Sequence, residues 1–424
     1  MHEGLGAVIR TPVSRLMILL GGNVLFGTGL FFHAFLYNFY LEALGHDEAV
    51  MGLAAAALTA GGLVALVPVG RLVDRFGAGR LLVAAALISS LGLAAGALVA
   101  RPVAIYLAAF VAGLGTVTWR VATGPILMVV ALGSLRSRAF SWNVGLLVGS
   151  GAVWMALAGT AATWLIATGM SAVAAYRMVL VVGAGGTALA GWLFTQVGRD
   201  SSVAPAVPPP RAPGPASPAL RTADSRVAIR ALPAILAWML APALVAPFFN
   251  IYFHRAHLLS VERIGLAFGL AHAATAIVLF VNGEISARRS PRTALALWTL
   301  TFAPALWLLG GVSAVHWALL LYFVQGIASP AANPLIDEML LAATPASQRG
   351  RVSSWRNATT EVAGIVGAAA GGLILRRLSF DTLFAWGAVA GLVGAVFLLV
   401  SLRPRTPDAR RDEPPAERVQ PVRR

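Results

Sequence analysis

Five landmarks in this chain recur at one spacing: Gly52 with Gly265, Gly70 with Gly283, Arg75 with Arg288, Arg138 with Arg351, and Trp142 with Trp355, each partner lying 213 positions on. A spacing kept across half a chain marks two copies of one unit. Both copies are strings of long apolar runs, so the fold must suit a lipid environment and must be assembled twice over. That combination restricts the chain to a membrane bundle of two similar halves.

Composition removes most other classes. With 58% hydrophobic residues, 12% charged residues and a mean hydropathy of +0.78, there is too little polar surface to cover a soluble 44.0 kDa globule. The formal net charge is +15 and all 32 basic residues are arginine. They fall in short breaks between apolar runs rather than on one face, so no nucleic-acid partner is expected. The absence of cysteine excludes disulfides, thiolate metal sites and cysteine nucleophiles. Arg10 and Arg15 ahead of a long apolar run resemble a signal peptide, but the run is too long and further spans follow, so it reads as the first span.

About 20 apolar residues cross a bilayer as a helix, which predicts an all-α fold of twelve spans. The first six lie near Leu16 to Leu41, Val50 to Gly70, Gly79 to Val99, Pro102 to Gly133, Ala139 to Thr168 and Tyr176 to Val197. The second six lie near Ala228 to Phe253, Arg263 to Ser286, Arg292 to Val312, Ala314 to Leu341, Val352 to Leu375 and Thr382 to Leu402. The domains are then a six-helix bundle over 1–198, a linker rich in Pro and Arg over 199–227, a second bundle over 228–402, and a tail over 403–424. The linker, with Pro208, Pro209 and Pro210, is too polar to bury a core, and the tail alternates Arg, Pro and acids. With both termini cytoplasmic, 25 arginines lie on the cytoplasmic side and six outside (Arg101, Arg177, Arg255, Arg263, Arg376, Arg377), with Arg120 inside a span. That asymmetry orients the chain in a cell inner (plasma) membrane. The first external loop, with Glu42, Asp47 and Glu48 and no arginine, agrees.

Between the second and third spans runs Gly70-Arg71-Leu72-Val73-Asp74-Arg75-Phe76-Gly77-Ala78-Gly79-Arg80. This resembles the loop signature of the major facilitator superfamily, and it sits where that family has it; with twelve spans, a central linker and a repeated half, the resemblance covers roughly the whole chain. Ala78 and Gly79 intervene before Arg80, where the family has basic residues directly after the second glycine. Gly70 and Gly77 are expected to turn the backbone tightly, and Asp74 to face the positive end of a neighbouring helix. The resemblance implies that this neighbour is the eleventh helix and that Gly70, Asp74, Arg75, Gly77 and Arg80 form a cytoplasmic gate. In the second half Ala287 replaces the aspartate, so any latch is one-sided.

Several polar residues fall inside spans. Arg120, in a segment resembling the family's fourth-helix arginine motif, lies about 21 Å from the cytoplasmic end when counted back from Ser134 at about 1.5 Å per residue. An arginine there costs about 2.5–3.5 kcal/mol on insertion scales, so it should face a watery cavity or a partner. Thr116 and Thr123 share its helical face and are cavity candidates with it; the alternative is a structural arginine bonded to backbone carbonyls. Glu361 lies roughly 13 Å from the start of its span, on a small, polar face with Asn357 and Gly364. Such a carboxylate is a candidate proton carrier or is bonded statically to the second helix or to Arg356; the difference in depth argues against a fixed pair with Arg120. His33 and His272 are further candidates for proton coupling, against the reading that they are packing residues. Tyr37, Asn38, Asn250, Gln325 and Asn333 are candidate cavity residues. Pro330 and Pro334 are expected to kink the tenth span.

No metal-spaced histidine cluster, nucleophile elbow or phosphate-binding loop is present, so neither an enzyme nor a cofactor is expected. The resemblance implies a secondary transporter that moves a small organic solute by alternating access. Proton coupling and export are favoured over uptake or uniport, and a neutral or anionic solute suits Arg120. The partners are lipid, solute and protons, and the protein is expected to act as a monomer. A transport-dead sensor with the same fold is the competing class.

Overall fold

The computed structural model describes residues 12–131, 135–198, 225–288 and 290–401. The segments expected as linker and tail therefore lie almost wholly outside the described residues. The first unit supplies α1 (Pro12–Ala43), α2 (Glu48–Phe76), α3 (Ala78–Leu98), α4 (Pro102–Val130), α5 (Leu135–Ala167) and α6 (Ala172–Gly198). In the second, α7 runs Ser225–Val245, passes through a 3-10 turn at Ala246–Phe248 and ends as the short helix Phe249–His257. It is followed by α8 (Val261–Arg288), α9 (Pro291–Gly311), α10 (Val315–Ala342), α11 (Arg349–Arg377) and α12 (Phe380–Ser401). Among the described residues there is no strand, and twelve helices are long and apolar enough to cross a membrane.

The duplication survives into the boundaries. Glu48 and Val261, which open α2 and α8, are 213 apart, and so are both ends of α3 and α9. Local chemistry sets several starts. Asp47 accepts a bond from the Val50 N–H at 3.0 Å at the N-terminus of α2, and Ser290 accepts one from Thr293 at 3.2 Å at that of α9. Pro102 and Pro291 occupy first-turn positions where no N–H is needed.

One expectation is corrected. The second span does not stop at Gly70: α2 runs on to Phe76, so Gly70 is helical and turns nothing. Only Gly77, at φ 82°, makes the turn into α3, in a region of backbone space that strains a residue with a Cβ. Separately, α7, which carries Pro242, gives way to the 3-10 turn that holds Pro247, and α10 is continuous through Pro330 and Pro334.

Because successive helices alternate in direction, the start of α1 and the end of α12 lie at one end of the bundle, here the terminal end; the α1–α2 and α7–α8 turns lie at the distal end. Packing differs between the two. A single core of buried residues runs across both halves, joining Phe35, Leu36 and Tyr40 of α1 and Met155 of α5 to Phe253 of α7, Phe268 of α8 and Leu375 of α11. Toward the terminal end the first half keeps a core of its own, from Leu16, Leu19 and Leu20 to Phe194 and Val197. The halves are fused distally and separate terminally. Outward-facing Leu91, Leu107, Trp164, Trp192, Leu270 and Val396 are exposed, an arrangement that suits a lipid belt rather than water.

Candidate transport pathway

Inside the bundle, Arg120 of α4 and Glu361 of α11 form an ion pair, with Nη2 and Oε1 2.5 Å apart. The pair joins opposite halves. Arg120 lies ten residues before the end of α4 at Val130, and Glu361 twelve residues after the start of α11 at Arg349. At about 1.5 Å per residue these place the two at about 15 and 18 Å from the terminal end. The expected mismatch in depth is therefore corrected: α4 ends earlier and α11 starts earlier than the apolar runs indicate, and the levels coincide. The Glu361 side chain is 11% exposed and that of Arg120 is 55% exposed, so the carboxylate is the embedded partner. A Cβ at Gly62 of α2 would lie 3.5 Å from Glu361 Oε2, so the carboxylate sits beside α2 as well.

A buried polar brace stands next to this pair. Trp119 Nε1 donates to Asn23 Oδ1 at 2.8 Å, and Asn23 Nδ2 donates to Asn143 Oδ1 at 2.6 Å. The Trp119 ring also stacks on Phe26 with centroids 4.2 Å apart. This fixes the α4 turn that carries Arg120 against α1 and α5. In the second half, Arg356 of α11 pairs with Asp337 of α10 at 2.8 Å and donates to Asn333 Oδ1 at 3.2 Å. Asn333 occupies the position 213 after Arg120 and Arg356 the position 213 after Asn143, so the repeat keeps polar residues here while changing their charge.

The terminal end is open. A cavity of about 320 Å³ lies between the halves there, lined by Phe140, Ser141, Val144 and Gly145 of α5, Ala276 and Leu279 of α8, and Pro334 of α10. The distal end is closed by polar contacts between halves. Arg255 of α7 pairs with Glu42 of α1 at 2.7 Å and also with Glu48 of α2, and Arg376 of α11 pairs with Asp47 at 3.1 Å. Beneath them Asn38 Nδ2 donates to the Pro247 carbonyl, on the turn that interrupts α7, and to Asn250 Oδ1 at 3.3 Å. Asn250 Nδ2 in turn donates to the Phe35 carbonyl at 2.8 Å. Asn38 and Asn250 thus reach reciprocally across a two-fold relation.

The remaining candidates divide. Thr116 faces α3, with its hydroxyl 3.1 Å from that of Ser89, and Thr123 donates to the Trp119 carbonyl and is buried, so neither joins Arg120 in a cavity. Asn38 and Asn250 are buried closure contacts rather than cavity residues. Gln325 is buried and donates to the Tyr322 carbonyl at 3.2 Å. Tyr37 donates to the Gly96 carbonyl at 3.3 Å, and His33 stacks on Tyr37 with centroids 3.9 Å apart. His272 has Nδ1 3.1 Å from the Phe268 carbonyl and meets Phe31 edge-on. His33 and His272 lie ten and eleven residues from the distal ends of their helices, about 15–16 Å, roughly 10 Å closer to that end than the ion pair. Distance keeps them from direct contact with it.

Of the residues expected to form a gate, Asp74 and Arg75 sit in the last turn of α2 and Arg80 in the first turn of α3, all exposed. The Arg75 guanidinium lies 5.2 Å from the Phe76 ring. Asp74 makes no ion pair with a described residue, and a carboxylate at a helix C-terminus opposes the macrodipole.

Sequence reasoning missed the distal ion pairs, although one signal was present. Glu42 and Arg255 are themselves 213 apart, and in a two-fold bundle a position touches its own mate only at the axis, so opposite charges at mated positions announce a contact. The Asp337–Arg356 pair and the Asn23 brace carried no comparable signal.

The Major Facilitator Superfamily sequence profile matches residues 228–424. Among solved structures, the nucleoside transporter NupG superposes with a TM-score of 0.72 at 13% identity, over 93% of this chain and 99% of that one. A bacterial homolog of the human lysosomal transporter Spinster, in an inward-facing and unoccupied conformation, gives 0.70 at 14% identity, over 92% and 95%. A D-xylose-proton symporter gives 0.69 at 14% identity, over 90% and 96%. At such identities the likeness is one of fold. No curated protein sequence matches the chain.

Proposed function

Since the chain belongs to the major facilitator superfamily, by the profile match of its C-terminal half and by its fold throughout, we propose that it is a secondary transporter of a small organic solute that works by alternating access, with proton exchange at Glu361. The observation that carries this reading is the Arg120–Glu361 pair, a charge contact inside the bundle that ties one half to the other. Protonating Glu361 neutralises it and releases Arg120, so the proton load and the contact between α4 and α11 are linked. A D-xylose-proton symporter of the same fold supports coupling to protons. The arginine bias of the loops supports cytoplasmic termini in a plasma membrane, which makes the conformation described here, open at the terminal end, an inward-facing one. Arg120, half exposed, is the group we assign to the solute, and it suits a neutral or anionic one. The Asp74 carboxylate, unfavourably placed in this conformation, gains the α11 N-terminus as a partner when the terminal end closes.

The test begins with a thermal-shift screen of purified protein against metabolites, because a binder raises stability by mass action. Counterflow of a hit in proteoliposomes then decides. Accumulation of labelled solute against unlabelled solute is the expected result; binding without counterflow by any hit would make the protein a sensor.

A further inference from the structure

The distal ends of α3 and α9 are repeat mates whose charge is settled differently. The last turn of a helix presents unpaired carbonyls and the negative end of its macrodipole. In the first half that end has a built-in cation: Arg177 of α6 donates through Nε to the Ala97 carbonyl at 3.1 Å and through Nη2 to the Tyr40 hydroxyl at 3.5 Å. Leu98 closes α3, and Thr168 spends its hydroxyl on the Leu165 carbonyl at 2.7 Å. In the second half the position 213 after Arg177 is Ala390, which carries no charge, and those after Ala97, Leu98 and Thr168 are Gly310, Gly311 and Asp381. The first half carries a cation here and the second a carboxylate.

A cavity of about 570 Å³ lies between the end of α9 and the start of α12, walled by Trp307, Leu308, Gly310 and Gly311 on one side and Asp381 and Thr382 on the other. A Cβ at Gly310 would lie 3.2 Å from Asp381 Cα, so the first turn of α12 stands directly beside the last turn of α9. One at Gly311 would meet nothing within 4 Å, so the volume given to a leucine in the first half stays open. Asp381 is exposed, and among the described residues no cation bonds it or the last turn of α9. Trp307 is 59% exposed, and Trp386, five residues past Asp381 on α12, is 58% exposed. At about 1.5 Å per residue both indoles lie about 6–8 Å deeper than the carboxylate level, the placement of an aromatic belt at a membrane interface. The groove thus faces lipid, with its charge at headgroup level and its apolar wall below. We propose that it binds a phospholipid with a primary-amine headgroup, the ammonium between Asp381 and the last carbonyls of α9 and the chains along Trp307 and Leu308. The lipid supplies to the second half the cation that Arg177 supplies to the first. A soluble amine would gain the charge contact without the apolar one, which commits the site to a lipid. The groove lies outside the pathway between the halves, and the inference does not depend on transport.

Native mass spectrometry of the full chain in detergent tests this with phosphatidylethanolamine and phosphatidylglycerol of identical acyl chains. The parent should bind the amine lipid more tightly. Asp381→Asn should weaken that binding about fivefold, the most that an exposed ion pair contributes, and should leave phosphatidylglycerol no weaker. Gly311→Leu, which gives the groove the leucine of the first half, should weaken the amine lipid by closing the cavity. Glu262→Gln, which removes a distal acid from the first turn of α8, should change neither lipid. Asp381 is exposed, so its variant keeps the proposal testable if Gly311→Leu does not fold. Glycerophosphoethanolamine, which lacks the chains, should not displace the lipid. Equal binding of the two lipids by the parent, an unchanged preference in Asp381→Asn, or displacement by the chainless headgroup would overturn the proposal.

Discussion

Arg120 on α4 and Glu361 on α11, 241 positions apart in sequence, share an ion pair at 2.5 Å between the two halves of the bundle. Each pays for its place near mid-bilayer with the other. Arg120→Ala leaves the embedded Glu361 without its partner, and a charge-assisted bond left unmade costs about 1–3 kcal/mol. Glu361→Gln keeps an acceptor for the guanidinium and should lower stability less. Thermal unfolding in detergent compares the two; equal loss would mean that the bond is replaced by solvent.

Arg120→Lys separates charge from shape. A lysine keeps the charge but loses the planar fork, so partial flux would indicate a charge role at the solute site and complete loss a geometric one. Wild-type flux in Arg120→Ala would remove Arg120 from the pathway.

Asp74→Asn should favour the terminal-open state. The repulsion from the α2 C-terminus is the same in both conformations, whereas attraction to a helix N-terminus is gained only in the other and is worth about 0.3–1 kcal/mol. Removing it changes the population ratio by roughly 1.5- to 5-fold, at about tenfold per 1.4 kcal/mol. A spin-label pair at Phe76→Cys and Gly350→Cys, across the terminal end, reports it, and an unchanged distribution would reduce Asp74 to a surface carboxylate.

The distal ion pairs should differ in weight. Arg255 holds two carboxylates, and the Glu48 side chain is only 14% exposed, whereas Arg376 and Asp47 are 59% and 40% exposed. Surface pairs contribute about 0–1 kcal/mol. Arg255→Gln should therefore raise labelling of a cysteine placed at Tyr37 by an impermeant maleimide, and Arg376→Gln should do so much less. Equal labelling in both would show that exposure does not rank these contacts.

Topology has its own check. A cysteine at Gly169, in the distal turn between α5 and α6, should react with the same reagent in intact cells, and one at Gln348 should not. The reverse pattern would invert the orientation drawn from the arginines.

Much of this was legible because periodic apolarity and a repeat are one-dimensional signals. The spacing of Gly52 and Gly265 gave the duplication, and helix boundaries such as those of α3 and α9 keep it. Helix ends were less legible: α2 runs past Gly70 because Arg71, Asp74 and Arg75 are polar but not helix-breaking, so an apolar ruler stops too soon. The same error in α4 and α11 hid the Arg120–Glu361 pair. Rotation about a helix axis was hardest to read. Thr116 and Thr123 share a face with Arg120 by spacing, yet their short hydroxyls satisfy themselves on nearby groups while the long guanidinium reaches the other half.

The most direct test compares Glu361→Gln with the parent in proteoliposomes, using a solute found by thermal shift, under an imposed pH gradient and again as exchange at equal solute concentrations. The account predicts that the variant loses gradient-driven flux and retains exchange, since the halves still move but no proton is carried at this position. Full gradient-driven flux in Glu361→Gln would contradict it.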